Sequence, residues 1–340
     1  MIRGSSGFGH RVRGWTGWLT AWRVVYPFCR TKKKQLKMRS EGMVQVQHSF
    51  TKQENEGFGT LYLVPTPIGN LEDMTFRAVN TLKSVEIILA EDTRNTQKLL
   101  NHFEVTTGQM SYHQHNSQAR IPQILAMLKD GQNLAQVSDA GMPAISDPGF
   151  ELAQAAIAEG IRVVPLPGAN AALTGLVASG LDTNQFAFIG FLPRKKSEKK
   201  AFLDDLVNFP YTMMFYESPY RLVQTLEDCR DAFGPDRSAV VVRELTKKFE
   251  EFNRGSLDDL AVHFDQNGPI KGEICFYIAG NDAPVTEATM LQDALEEMSL
   301  KDQVDWWMGQ KDLSTKDAIK QVAKQTGVNK RDVYAAYHEI

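Results

Sequence analysis

From Thr60 onward the hydrophobic positions switch repeatedly between two periods. Aliphatic and β-branched runs at 61–64, 85–90, 133–137 and 161–164 are each bounded by Gly, Pro, Asp or Asn and predict strands. Segments 75–82, 93–102, 121–129 and 149–159 carry the helical period between them. Repeated βα units predict a parallel sheet covered on both faces. Pro165, Leu166, Pro167 and Gly168 break the run and mark a candidate domain junction. A helix of small residues at 169–178 follows. After it come strands at 186–190, 211–216, 239–242 and 274–279 and helices at 197–207, 220–232 and 256–264. Two strands succeed each other there without a long helix more than once, so a mixed sheet is expected. The expected fold class is therefore α/β, with domains at 59–167 and 168–281.

Residues 285–340 carry only helical patterns. Ser314 and Asp317 have the spacing of a capping box, and Ala318, Ile319, Val322 and Ala323 make one apolar face. Gly327 ends that helix and Asn329 caps the next, with Val333, Tyr334 and Tyr337 expected inward. Ala323, Gly327 and Val333 have the spacing of a helix-turn-helix hairpin. Lys316, Lys320, Lys324, Lys330 and Arg331 line its outside, which suits a small packing unit and an RNA contact equally.

Charge changes the picture only when it is divided. The formal net charge of the 340 residues is −3, yet residues 1–42 hold ten Lys/Arg against Glu41 and carry +9, so the rest carries −12. A low total therefore does not exclude a nucleic-acid partner. Residues 1–58 read as an over-extended or disordered leader, for which Met38 and Met43 offer internal starts. Trp15, Trp18 and Trp22 in a basic, acid-free stretch leave a targeting presequence as the alternative. The apolar stretch from Trp15 to Cys29 is broken by Arg23 and is too short to span a bilayer. Cys29, Cys229 and Cys275 form no CxxC pair, which excludes a disulfide scaffold or thiolate zinc site and fits a reducing cytoplasm. His113 and His115, two apart, read as surface or substrate contacts; no metal is expected.

Three loops carry the candidate chemistry, each straight after a strand. The first is VPTPIGN at 64–70, rigid through two prolines, with Gly69 allowing close approach. The second is SDAGMPAISDPG at 138–149 and the third PLPGANA at 165–171. None is a GxGxxG or Walker A loop. In an open α/β sheet such loops gather where ligands bind.

These loops, together with AEDTR, GFLPRK, FYESPYRL, RELTKKFEEFNRG and KGEICFYIAG, resemble the bacterial ribosomal RNA small subunit methyltransferase I family over about residues 59–338. That family has the tetrapyrrole-methylase-like S-adenosylmethionine fold with a small C-terminal helical domain. The resemblance implies S-adenosylmethionine as cofactor and methyl transfer to the ribose 2′-hydroxyl of a cytidine in the decoding centre of 16S rRNA, with the 30S subunit as partner. A cytoplasmic homodimer is also implied. It places cofactor contacts on Pro65, Pro67, Gly69, Asp139, Ala140, Gly141, Met142, Pro143, Ile145, Asn170, Ala171 and Phe215, with Tyr216 as the alternative to Phe215. Two rival readings are a methylase of a tetrapyrrole or other small acceptor, and an rRNA-binding assembly factor without catalysis.

A ribose hydroxyl needs a base to share its proton. Asp92 is the first candidate, with Arg94 to orient it or bind phosphate; Glu217, Arg243 and Glu244 occupy analogous strand ends. RNA contact requires local positive charge. Arg194, Lys195, Lys196, Lys199 and Lys200 supply it, with Lys247, Lys248 and Arg254 as a second cluster, where Phe249 or Phe252 would stack on a base.

Overall fold

The computed structural model describes residues 46–49, 57–282, 295, 298–311 and 313–339. The leader expected at 1–58 lies outside them apart from 46–49 and 57–58. Gln47 is bound to the body: its amide donates to the Val163 carbonyl (2.9 Å) and its oxygen accepts from the Val163 amide (3.0 Å).

The described chain divides into two compact units. One holds both sheets and runs to Gly280 apart from Asn208–Pro210; the other takes those three residues and the chain from Asn281. The first sheet is built from β1 (Thr60–Leu63), α1 (Phe76–Ser84), β2 (Ile87–Ala90), α2 (Thr93–His102), β3 (Gly108–Ser111), α3 (Ser117–Lys129), β4 (Leu134–Val137), α4 (Phe150–Ala158) and β5 (Arg162–Pro165). Its order is β3-β2-β4-β1-β5, and every pairing is parallel. Strand residues alternate between two cores, one holding Ile88 and Ala90 and the other Leu61, Leu89 and Leu134. A sheet buried on both faces requires this, and β4 is buried at every position.

The second sheet follows α5 (Ala171–Ser179). It contains β6 (Phe186–Phe191), α6 (Lys196–Asp204), β7 (Thr212–Glu217), α7 (Leu222–Phe233), β8 (Ser238–Arg243), β9 (Glu251–Ser256), α8 (Leu257–Gln266) and β10 (Ile274–Ile278). Its order is β6-β7-β10-β8-β9, mixed as expected, with β6 and β7 parallel and the other pairs antiparallel. α5 is made of small residues because the sheet presses on it. The Tyr277 hydroxyl donates to the Ala172 carbonyl (3.0 Å), and a Cβ at Gly175 would stand 2.1 Å from that oxygen. Strands β3 and β9 were not expected. Both are polar edge strands, formed by pairing with a neighbour rather than by an apolar run of their own.

Helices α9 (Leu300–Lys311), α10 (Thr315–Thr326) and α11 (Lys330–His338) enclose Val304, Ala318, Ile319, Val322 and Val333. Ser314 and Asn329 cap α10 and α11, and Gly327 turns the chain at φ 70°. Tyr334, expected inward, is 48% exposed because it lies one residue, and so about 100° of helix, beyond the buried Val333.

Candidate active site

β1 and β4 are neighbours whose onward connections leave in opposite directions, β1 towards β2 and β4 towards β5. Such a reversal opens a crevice at the strands' carboxyl ends. Loops 64–70 and 138–149 meet there, where Thr66 and Gly141 exchange both backbone hydrogen bonds at 3.0 Å. The second loop is tightly curled, with positive φ at Gly141 (79°), Ala144 (67°), Ser146 (62°) and Gly149 (137°). Two of these are not glycine, a strain that persists only where the surroundings impose it.

Two cavities flank this junction. The larger, about 440 Å³, has Ile68, Ala140, Gly141, Met142, Ile145, Ser146 and Asp147 on one side and Asn170 and Ala171 at the start of α5. Tyr216, Glu217, Val242, Leu245 and residues 272–275 close it from the second sheet. The smaller, about 240 Å³, is lined by Thr66, Pro67, Gly69, Leu71, Asn95, Thr96, Lys98, Leu99, Ser138 and Asp139. Pro65 and Pro143 are buried and line neither; Pro65 packs where a Cβ on Gly168 would stand 2.7 Å away. Phe215 is a correction. It stacks on Phe276 at 4.6 Å on the far face of the sheet, and Tyr216 is the aromatic wall, held edge-on by Phe188 and Phe191.

The Tetrapyrrole (Corrin/Porphyrin) Methylases model matches residues 60–261, and that of the RsmI C-terminal HTH domain matches residues 310–340. The ribosomal RNA small subunit methyltransferase I of Halalkalibacterium halodurans is 48% identical over 87% of this chain and 100% of its own. That of Bacillus subtilis is 47% identical over 87% and 99%. The chain belongs to the ribosomal RNA small subunit methyltransferase I family. Two solved structures share the fold. Diphthine synthase aligns at TM-score 0.53 and 11% identity over 65% of this chain and 90% of its own. Cobalt precorrin-4 methyltransferase aligns at 0.50 and 19% over 67% and 96%.

In this methyltransferase the carboxylates at the strand ends have distinct tasks. Asp92 caps α2, accepting from the Arg94 amide (2.9 Å), and its carboxylate is gripped by the Arg94 guanidinium at 3.0 and 2.7 Å. The hydrogen bonds from Arg94 hold Asp92 down at about 2. In this arrangement Asp92 serves as a helix cap paired to Arg94, and so low a value is mismatched to a base working at neutral pH. Glu217 lines the larger cavity but is spent on structure: it accepts from Thr225 (2.8 Å) and from the Ser218 amide (2.8 Å) and is ion-paired with Arg221 (3.2 Å). Glu244 binds the Glu273 amide and Lys247, both at 3.0 Å, and the backbone bond from Glu273 keeps its carboxyl below the usual range. Arg243 pairs with Glu251 (2.6 Å) on β9. Neither Arg243 nor Glu244 lines either of these two cavities.

Two further carboxylates, Asp147 and Glu91, are raised above the ordinary range. Burial raises Asp147, which lines the larger cavity, with the charge of Asp139 adding to the shift. Burial also raises Glu91, seconded by Asp147 and Asp139. Asp139 lines the smaller cavity, accepting from the Asp92 amide (3.2 Å) and the Asn95 amide group (3.3 Å).

The basic clusters divide in the same way. Arg194, Lys195, Lys196 and Lys200 are exposed, with Lys195 and Lys200 in loose pairs to Glu198 and Asp204. Lys199 is a correction: it is buried in an ion pair with Asp228. Lys247 is half-buried and tied to Glu244 and Glu273, and Arg254 caps α5 through the Ala178 and Ser179 carbonyls while covering Phe252. Lys248 and Phe249 remain exposed. His113 and His115 meet edge to face at 6.0 Å. Among the described residues no group of three or more His, Cys, Asp or Glu is placed to hold a metal, and no helix is long and apolar enough to cross a membrane.

Proposed function

We propose that the chain transfers the methyl group of S-adenosylmethionine to the 2′-hydroxyl of a cytidine ribose in small-subunit rRNA. The observation that carries this is family identity running through both α/β halves and the helical tail, around a cavity formed between the loops after β1 and β4 and the second sheet. The residues of that cavity suit the cofactor. Its apolar walls (Ile68, Met142, Ile145, Val242, Leu245) suit an adenosine, the curled loop offers backbone polar groups, and Asp147 supplies negative charge for a cationic ligand.

When bound, the cofactor supplies an electrophilic methyl on a sulfonium, and displacement there needs positioning above all. The chain provides that positioning through the Thr66–Gly141 bridge, the Asn170 cap on α5 (2.9 Å to Leu173) and Tyr216. The finer reading is that the two sheets act as separate domains at 59–167 and 168–281, that the enzyme works as a cytoplasmic homodimer, and that its substrate is the 30S subunit. Exposed Arg194, Lys195, Lys196, Lys200 and Lys248 contact RNA in this reading. Labelled S-adenosylmethionine, incubated with 30S subunits lacking the modification, should place label on one ribose. Label on a base, or none, would refute the proposal.

A further inference from the structure

Gln136 is a polar side chain inside an apolar sheet. It sits on β4, 1% exposed, paired with Leu63 on β1 and Leu89 on β2, and shares a face with Leu134, two residues before it. Its side-chain amide donates to the Pro148 carbonyl (2.6 Å), while its Oε1 is buried without a partner among the described residues. An unpaired buried oxygen lowers stability relative to an apolar side chain of the same shape. The neighbours on this face are leucines, so packing alone does not call for an amide here.

What the amide reaches is the curled loop. The Pro148 carbonyl also accepts from the Ala144 amide (3.3 Å), so one oxygen closes the 144–148 turn and ties it to the sheet. That turn holds Ala144 and Ser146 at positive φ and puts Ile145, Ser146 and Asp147 on the wall of the larger cavity. Gly149 leaves room for the contact, since a Cβ there would stand 2.2 Å from the Gln136 Nε2. Backbone strained in this way relaxes unless its surroundings fix it. We infer that Gln136 is a positioning residue for the cofactor, holding the strained turn in its cavity-lining shape from inside the sheet. The inference rests on the S-adenosylmethionine reading above. It gives a residue that touches no ligand a task in binding one.

The test compares the full wild-type chain with Gln136→Met, which keeps the length of the side chain and loses the amide. The KM for S-adenosylmethionine should rise about tenfold, with turnover at saturating cofactor and the KM for undermethylated 30S subunits within about twofold of wild type. Calorimetry should show the same loss of cofactor affinity. The melting temperature should equal or exceed that of wild type, because the variant removes the unpaired buried oxygen. Hydrogen exchange at the Ala144 amide should quicken as the turn loosens. A core role would give the reverse, a lower melting temperature with unchanged affinity. A variant that melts lower or does not fold would therefore overturn the assignment, as would an unchanged cofactor affinity. If the wild-type chain itself binds no S-adenosylmethionine, the reading above fails and this inference falls with it; wild-type binding that the variant matches sinks the inference alone.

Discussion

The alkyl chain of Lys247 occupies the space that a side chain at Gly69 would need: a Cβ there would stand 2.3 Å from the Lys247 Cγ. Gly69 belongs to the loop after β1, and Lys247 to the second half of the fold. The Lys247 ammonium is anchored by Glu244 (3.0 Å) and Glu273 (3.2 Å), so the lysine latches one wall of the crevice to the other.

Gly69→Ala should therefore disturb the crevice and spare the cores. Position 69 sits at φ +150°, where an alanine adds strain of about 1–3 kcal/mol to the clash. The expected result is a normal circular dichroism spectrum with S-adenosylmethionine affinity reduced about tenfold, since 1.4 kcal/mol is one decade. Adding Lys247→Ala should restore part of that affinity, a coupling that a double-mutant cycle would read. Additive losses would show that the two residues act separately.

Asp92 and Arg94 make a second prediction, because the structure gives the carboxylate a capping task. Asp92→Asn keeps a capping oxygen and removes the charge, so methylation should stay within about threefold of wild type. A general base would instead cost about a hundredfold or more. The pH dependence has a definite sign. Asp92 is depressed from 3.8 to about 2, so its stabilising contribution is complete above the unfolded value and fades as pH falls towards 2. Acid unfolding of Asp92→Asn should lack that component. A collapse of turnover at neutral pH with intact cofactor binding would return Asp92 to the chemistry.

The basic run at 194–200 should split under mutation. Removing Lys199 strands the Asp228 carboxylate, and breaking a buried pair costs about 3–5 kcal/mol. Lys199→Ala should thus lower the melting temperature markedly. Neutralising Arg194, Lys195, Lys196 and Lys200 together should leave the melt almost unchanged and weaken rRNA binding, with a shallower salt dependence. It should do so far more than removal of residues 1–42, despite the +9 carried there. Equal melting behaviour in both variants would mean that the Lys199–Asp228 pair contributes little.

How much of this was legible depends on where each signal resides. β4 could be read because its four residues are buried and bounded by turn formers, and the three loops could be read because each follows a strand. β9 could not, since Glu251, Asn253 and Arg254 give no apolar run and the strand exists through its pairing with β8. Nothing within five basic residues in seven distinguishes Lys199; its partner Asp228 lies on another helix, one turn of α7 beyond the Glu217 ligand Thr225. Phe215 and Tyr216 are adjacent, so choosing the wrong one inverts the face of the sheet. Asp147 was missed because the expectation placed chemistry at strand ends. It lies ten residues past Val137, returned to the cavity by the positive-φ turns at Ala144 and Ser146.

Asp147 supports the last prediction, a proton linkage to cofactor binding. Burial, with Asp139 nearby, raises its carboxyl above the ordinary value of 3.8, so protonation persists to higher pH than in an unfolded chain. For stability, the folded form holds its proton more tightly, and this contribution is present at low pH and declines as pH rises through the folded value. For binding the sign is opposite. A cationic ligand in the larger cavity favours the ionised carboxylate and pulls its pKa down, so cofactor association should release protons and tighten as pH rises through that range. Calorimetry in two buffers of unlike ionisation enthalpy would count the released protons. Asp147→Asn should abolish both the release and the pH dependence of affinity while leaving the protein folded. If the variant keeps the wild-type pH profile, the cationic part of the cofactor lies elsewhere, and Glu91, raised by burial and by Asp147 and Asp139, is the next carboxylate to substitute.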